Sequence, residues 1–303
     1  MDTTCFQFVE RVAGQLKNVY NLLYFKGNWN LAATEQRERR YDLHFRLEAT
    51  TDPTVWMYSF DTTNRRFAYT LCCMDMDAVR QLDQRYVQVV RFDIKAHGSS
   101  SGLIHELQKS EVLSTLLPFV CSYTRHAHLH FDCSNRHLYN NFDGSLYHYL
   151  STCYRFEEID IYYLGDESRV FFENQLRDGY VNKVTLRGKW TDADMQFALT
   201  KIDKVTQFEM TFATMLNIDE EWLKDLIHLW KQGHFDGKRF TISTTIKNET
   251  LDKVMKNMEY VKQNSAYVMV NAKKERFFID PYWRTLCICS RSVCASHPTC
   301  DIV

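Results

Sequence analysis

A chain of 303 residues, 45% hydrophobic and 14% aromatic, has ample material to bury one long core or two packed ones. Its formal net charge of -1 creates no global field to gather nucleic acid or an anionic membrane, so neither is expected as a partner. The start of the chain lacks the basic and apolar regions of a signal peptide, and the best apolar run, Val112 to Cys121, is short for a bilayer span and holds Pro118. The expectation is a cytoplasmic or nuclear protein whose ten cysteines are mostly reduced thiols.

Residues 3–16 place Phe8, Val9, Val12 and Leu16 at helical spacing, with Phe6 just ahead and Thr4 in position to cap. A second apolar cluster runs from Val19 to Phe25 and is broken by Gly27 and Asn28. Two readings stay open for residues 1–28: a helix docked on the core, or a helical module that binds a partner.

The period then changes. Leu43, Phe45 and Leu47 alternate with Asp42, His44 and Arg46, and Val55–Phe60 and Phe67–Leu71 follow after turn residues. Residues 40–75 read as a three-stranded antiparallel meander that caps what comes next.

Between 79 and 260, strand candidates recur at 86–94, 125–131, 156–163, 181–187, 205–212 and 239–245, separated by helical runs. With Phe92, Leu129, Ile159, Val184, Phe208 and Phe240 as inward anchors, the spacings are 37, 30, 25, 24 and 32 residues. That is the period of an α/β fold of strand–helix repeats, an irregular solenoid close to the leucine-rich type. The helical runs include 104–117, expected to stop near Pro118, and 143–153. A further one opens at Asp166 and closes at Gly179. Thr191 with Asp194, and Asn217 with Glu220, look like capping boxes. After the second, Trp222, Leu223, Leu226, Leu229 and Trp230 form one apolar stripe that Gly233 ends. A last helix is read over 249–260, a hairpin cap over 261–286, and a cysteine-rich, unstructured tail over 287–303.

Residues alternating with the anchors face outward on one sheet surface. Read functionally, that surface holds a protein target through His128, Asp160, Lys183, Arg187, Glu209 and Arg239. Read structurally, the same charges are ordinary cross-strand pairs.

Candidate chemistry is sparse. Cys287, Cys289, Cys294, His297 and Cys300 are soft ligands, but they lack the paired C-x2-C knuckles of a strong zinc site. Zinc binding through this tail is the alternative function, and no metal site is assigned. His126, His128 and His130 share a strand face, where residues two apart are about 6.5–7 Å from each other, and are read as exposed polar residues. Gly98–Gly102 has no Lys-Ser/Thr ending, so it is no phosphate loop. No nucleophile elbow, kinase set or His-Glu-x-x-His motif occurs, so the expectation is a non-enzymatic protein without cofactors.

Three segments carry a resemblance: Met1-Asp2-Thr3-Thr4-Cys5-Phe6-Gln7-Phe8, Ala78-Val79-Arg80-Gln81-Leu82-Asp83-Gln84-Arg85-Tyr86, and Leu186-Arg187-Gly188-Lys189-Trp190. In this order the chain, to about residue 283, resembles a large nematode-expanded family of F-box-like proteins. Cys5 stands where relatives tend to carry Pro, and residues 1–28 are short for a three-helix F-box, so a degenerate F-box is part of the expectation. The resemblance implies a substrate-recognition subunit of a cullin-type ubiquitin ligase. Its Phe6, Phe8, Val9 and Val12 would meet the ligase adaptor protein, and its repeats would hold an unknown protein target.

Overall fold

The computed structural model describes residues 5–62, 73–95, 105–132, 144–151, 153, 156–178, 180–211, 216–256, 258–263, 266–281 and 285–289. The chain divides into two compact units, residues 1–157 with 164–171, and residues 158–163 with 172–303. Both are mixed α/β.

The first unit opens with α1 (Phe6–Gln15), a 3-10 turn (Tyr20–Tyr24) and α2 (Asn28–Arg39). Thr4 lies outside the described residues, and Cys5 occupies the N-cap with no side-chain cap bond. Gly27, at φ 70, supplies the left-handed turn from which α2 starts. The glycine expected to break the helical region therefore begins a further helix, and the segment runs to Arg39 rather than 28. Its own small core joins Val9, Ala13, Val19, Ala32 and Ala33, with Phe6, Leu16, Leu22, Leu23 and Trp29 packed around them. Residues 28–39 carry no apolar stripe of helical period that would announce a helix, yet Ala32 and Ala33 are buried with Val9 and Ala13 of α1.

Arg40 closes this segment. Its buried guanidinium donates to the Ala13 carbonyl at 3.1 Å, the Lys17 carbonyl at 3.4 Å and Gln36 Oε1 at 3.3 Å. It thus ties the C-terminal end of α1 and the residues just after it to the end of α2.

β1 (Tyr41–Ala49) and β2 (Val55–Thr62) pair antiparallel, as the alternation required. The expected third meander strand falls outside the described residues. Next come α3 (Met76–Gln81), capped by Asp75, then β3 (Val87–Lys95), β4 (His105–Gln108) and β5 (Thr124–Asp132). The strand order is β4-β2-β1-β3-β5, with β1, β3 and β5 parallel and β4 antiparallel to β2. The helix expected from residue 104 is thus a strand first, because His105–Gln108 pairs with Tyr58–Val55. Helical structure then runs through Lys109–Glu111, a π turn Val112–Leu116, and Leu117–Ser122. Pro118 does not stop it; the wider π turn precedes Pro118, and a proline at the start of the next helical stretch is tolerated. The 143–153 run condenses to Ser145–Leu150.

The second unit takes over within β6 (Phe156–Tyr162) and continues with β7 (Lys183–Arg187), β8 (Gln207–Thr211), β9 (Leu216–Asn217) and β10 (Arg239–Thr245). Helices Asp166–Asp178, Asp192–Thr200 and Glu220–Lys231 lie between these strands in sequence, and Asn248–Met255 follows β10. β11 (Val261–Gln263), β12 (Ala266–Val270), β13 (Arg276–Asp280) and β14 (Thr285–Cys289) complete it. The order is β6-β7-β8-β10-β14-β13-β12-β11, parallel through β10 and antiparallel beyond.

The anchors hold their expected places. Phe92, Leu129, Ile159, Val184, Phe208 and Phe240 are all buried, and the register aligns Phe92 with Leu129, Ile159 with Val184, Val184 with Phe208, and Phe208 with Phe240. Phe208 and Phe240 stack at 5.3 Å, and Phe45 meets Phe92 edge-on at 5.6 Å.

The local signals in the sequence hold in part. Thr191 and Asp194 form the capping box. The second expected box shifts: Asp219 caps Glu220–Lys231 by accepting from the Trp222 N–H at 2.8 Å, because Asn217 is committed to β9. The buried stripe of that helix is Leu223, Leu226, Ile227 and Trp230, so Ile227 replaces Leu229 and Trp222. The Leu186–Trp190 motif is a structural turn. Gly188 sits at φ 95, with space for a Cβ closed by the Tyr163 nitrogen at 3.3 Å, and the Trp190 indole donates to the Arg187 carbonyl at 2.9 Å. Finally, Cys287 and Cys289 are buried in β14 beside β10 and β13, so the unstructured tail does not begin at 287. The rest of that tail lies outside the described residues.

Candidate functional site

The N-terminal segment concentrates exposed apolar surface. Phe8 is 57% exposed and Tyr24 88%, and Tyr20, Phe25 and Leu31 are exposed as well. Of the four residues expected to meet a partner, only Phe8 is fully available; Phe6 and Val12 are half-buried. Val9 is a correction. It is 0% exposed because it faces the Ala32 and Ala33 side of the small core, one helical step away from Phe8. Tyr20, Tyr24, Phe25 and Leu31 were not singled out from sequence, since an apolar cluster looks alike whether it faces a core or solvent.

This surface is held by a polar clamp. The Tyr86 hydroxyl lies 2.8 Å from Glu10 Oε1 on α1 and 2.7 Å from Glu35 Oε2 on α2. Burial, reinforced by both carboxylates, raises the Tyr86 phenol above its ordinary range. Arg85 adds bonds to Asp83 at 2.7 Å and Glu10 at 3.4 Å. Both α helices are thereby tied to the start of β3.

The outward rows expected to hold a target differ between the units. In the second, Arg187 clasps Asp160 with two bonds of 2.6 Å, and Lys183 reaches Glu158 at 3.1 Å. Glu209 aligns with Thr185 and Thr241, and Arg239 with Gln207 and Cys289; neither charge forms an ion pair among the described residues. In the first unit, His128 lies opposite Arg91, which lies opposite His44. The register shifts between Leu43 and His44 and again between Val89 and Arg91, and His126 adopts φ 45. Such bulges re-aim side chains. A cavity of about 330 Å³ opens here, lined by Lys17, Asp42, His44, Arg91, Arg125, His126 and His128 among others.

The metal alternatives gain nothing. His126 leaves the extended path, so the three imidazoles do not form one straight row, and no group of three or more His, Cys, Asp or Glu among the described residues is arranged to hold a metal. Cys5, Cys73, Cys121, Cys153 and Cys287 are thiols, and Cys289 is disulfide-bonded. The hydroxyl of Thr241 donates to Cys287 Sγ at 3.5 Å. Cys294, His297 and Cys300 lie outside the described residues. At Cys121, the Cys153 side chain and then burial push the thiol far above its ordinary range, the reverse of what a thiolate nucleophile requires.

No protein-family model matches the chain, and no curated protein or solved structure is significantly similar to it. Among the described residues, no helix is long and apolar enough to cross a membrane.

Proposed function

We propose that this chain is a non-enzymatic adaptor that binds other proteins and docks its first partner through the N-terminal helical segment. The observation that carries this reading is the cluster of exposed Phe8, Tyr20, Tyr24, Phe25 and Leu31 within so short a stretch. Exposed aromatic side chains are the anchors that dominate the energetics of protein interfaces. The resemblance to F-box-like proteins supplies the partner, the adaptor subunit of a cullin-type ubiquitin ligase. Three helical pieces spanning Phe6–Arg39 support it better than the shorter segment read from sequence.

In this reading the strand–helix succession is a leucine-rich-like solenoid that holds the target. The parallel order β6-β7-β8-β10, with a helix after each of β6, β7 and β10, supports that. Asp160, Lys183 and Arg187 are largely committed to their neighbours, so Glu209 and Arg239 are the stronger candidates for target contact on the second unit.

The test is co-purification of the full chain with the ligase adaptor, beside a Phe8→Ser/Tyr24→Ser variant shown by circular dichroism to be folded. Capture by the parent chain and at least a tenfold loss (about 1.4 kcal/mol) in the variant is expected. A folded parent chain that captures no adaptor overturns the ligase assignment.

A further inference from the structure

We propose that the cavity over the His44–Arg91–His128 row is a binding site for a small phosphomonoester, with anion binding coupled to protonation of His44. This inference is independent of the adaptor reading.

The geometry comes first. His44, Arg91 and His128 are direct cross-strand neighbours on three adjacent parallel strands, a spacing of about 4.8 Å per strand. All three line the cavity. Lys17 and Arg125 line the same space, and the bulged backbone brings in His126. Guanidinium, ammonium and imidazolium groups converging on one cavity match the several acceptor oxygens of a phosphate. At about 330 Å³ the cavity sits at the lower end of small-ligand pockets, with room for an organic group beyond the anion. Asp42, on the wall and held by the Gln88 amide, is an acceptor suited to a hydroxyl of that group rather than to the phosphate.

The charge balance explains the dependence on protonation. Most nearby cations already face a carboxylate. Arg91 Nε lies 2.9 Å from both oxygens of Asp93, Lys17 meets Glu157 at 2.5 Å, Arg46 meets Asp61, and Arg40 feels Asp42. Arg125 instead donates to the carbonyls of Thr124 at 2.7 Å and Ser122 at 3.4 Å. With neutral imidazoles the region has little net positive charge to attract an anion. Protonating His44 adds positive charge there; His126 Nε2 already lies 3.3 Å from the Gln15 carbonyl, and His130 lies one row on, opposite Asp93. Burial and then Arg91 hold the His44 imidazole below its ordinary range, so without an anion that site resists protonation. A bound phosphate reverses this resistance, so proton and anion uptake reinforce one another.

The experiment is calorimetric titration of the intact chain with inorganic phosphate and with glycerol 3-phosphate, at about pH 6 and about pH 8, bracketing the ordinary histidine range. Expected is saturable binding about tenfold tighter at the lower pH, with glycerol 3-phosphate the tighter ligand. Arg125→Gln and His128→Gln should each weaken binding about tenfold while leaving the thermal midpoint within a few degrees of the parent. No saturable binding at the lower pH by a folded chain overturns the site. Equal binding by the Arg125→Gln/His128→Gln double variant overturns its location, and binding of inorganic phosphate alone overturns the ester assignment.

Discussion

On the outward row of the second unit, Arg187 clasps Asp160 and Lys183 meets Glu158, so each cation lies beside an acid on the next strand. In the first unit the corresponding alternation places Arg91 between two histidines. Both rows follow from the same period of two. The first arrangement pairs these charges across strands, whereas in the second Arg91 is paired within its own strand, to Asp93, and its cross-strand neighbours are imidazoles that line a cavity. A charged strand face therefore says little about recognition until its cross-strand partners are known.

The largest effects should be alike in both units, because the inward anchors do the same work in each. Phe92→Ala and Phe208→Ala should each lower unfolding free energy by about 3–5 kcal/mol in urea titrations. A loss below about 1 kcal/mol at either position would show that its unit does not depend on that anchor.

The rows themselves should then separate. Arg187→Ala leaves the half-buried Asp160 without its bidentate partner and should cost about 1–3 kcal/mol. Lys183→Ala, at a more exposed pair, should cost less than about 1 kcal/mol. Arg125→Gln, in the first unit, should also stay below about 1 kcal/mol, since it loses only bonds to backbone carbonyls. Equal costs for Arg187→Ala and Arg125→Gln would erase the contrast.

A smaller effect is expected from pH. His44 is held below its ordinary range by burial and by Arg91, so the unfolded chain takes up a proton more readily than the folded one. Its contribution to stability is present above about pH 6.5 and is lost as pH falls toward the depressed folded value. His44→Gln should flatten that part of the stability profile, and an unchanged slope would remove His44 from the account. Smallest of all, Phe8→Ala should change stability by no more than about 0.5 kcal/mol, because its ring is mostly solvated. A larger loss would place Phe8 in the core beside Val9 rather than on the docking surface.

Features that depend on neighbours a few residues away were legible in the chain. The six anchors, the Thr191–Asp194 box and the Gly233 stop, at φ 85, all follow from the period of two, helix capping and the freedom of glycine. The docking surface was half legible. Phe8 was named with Val9, but one is exposed and the other buried, and only the packing of α2 decides which. α2 itself was missed because its Ala32–Ala33 contact depends on where α1 lies.

The amino-acid sequence by itself thus determined the strand faces and the inward anchors, because side-chain alternation is a property of each strand alone. Tertiary structure decided that residues as distant in the chain as His44, Arg91 and His128 share a row, that Asp160 is answered by Arg187, and that residues 105–108 form a strand. Register and pairing arise between segments, and a single bulge moves every later side chain by one place, so no local pattern specifies them.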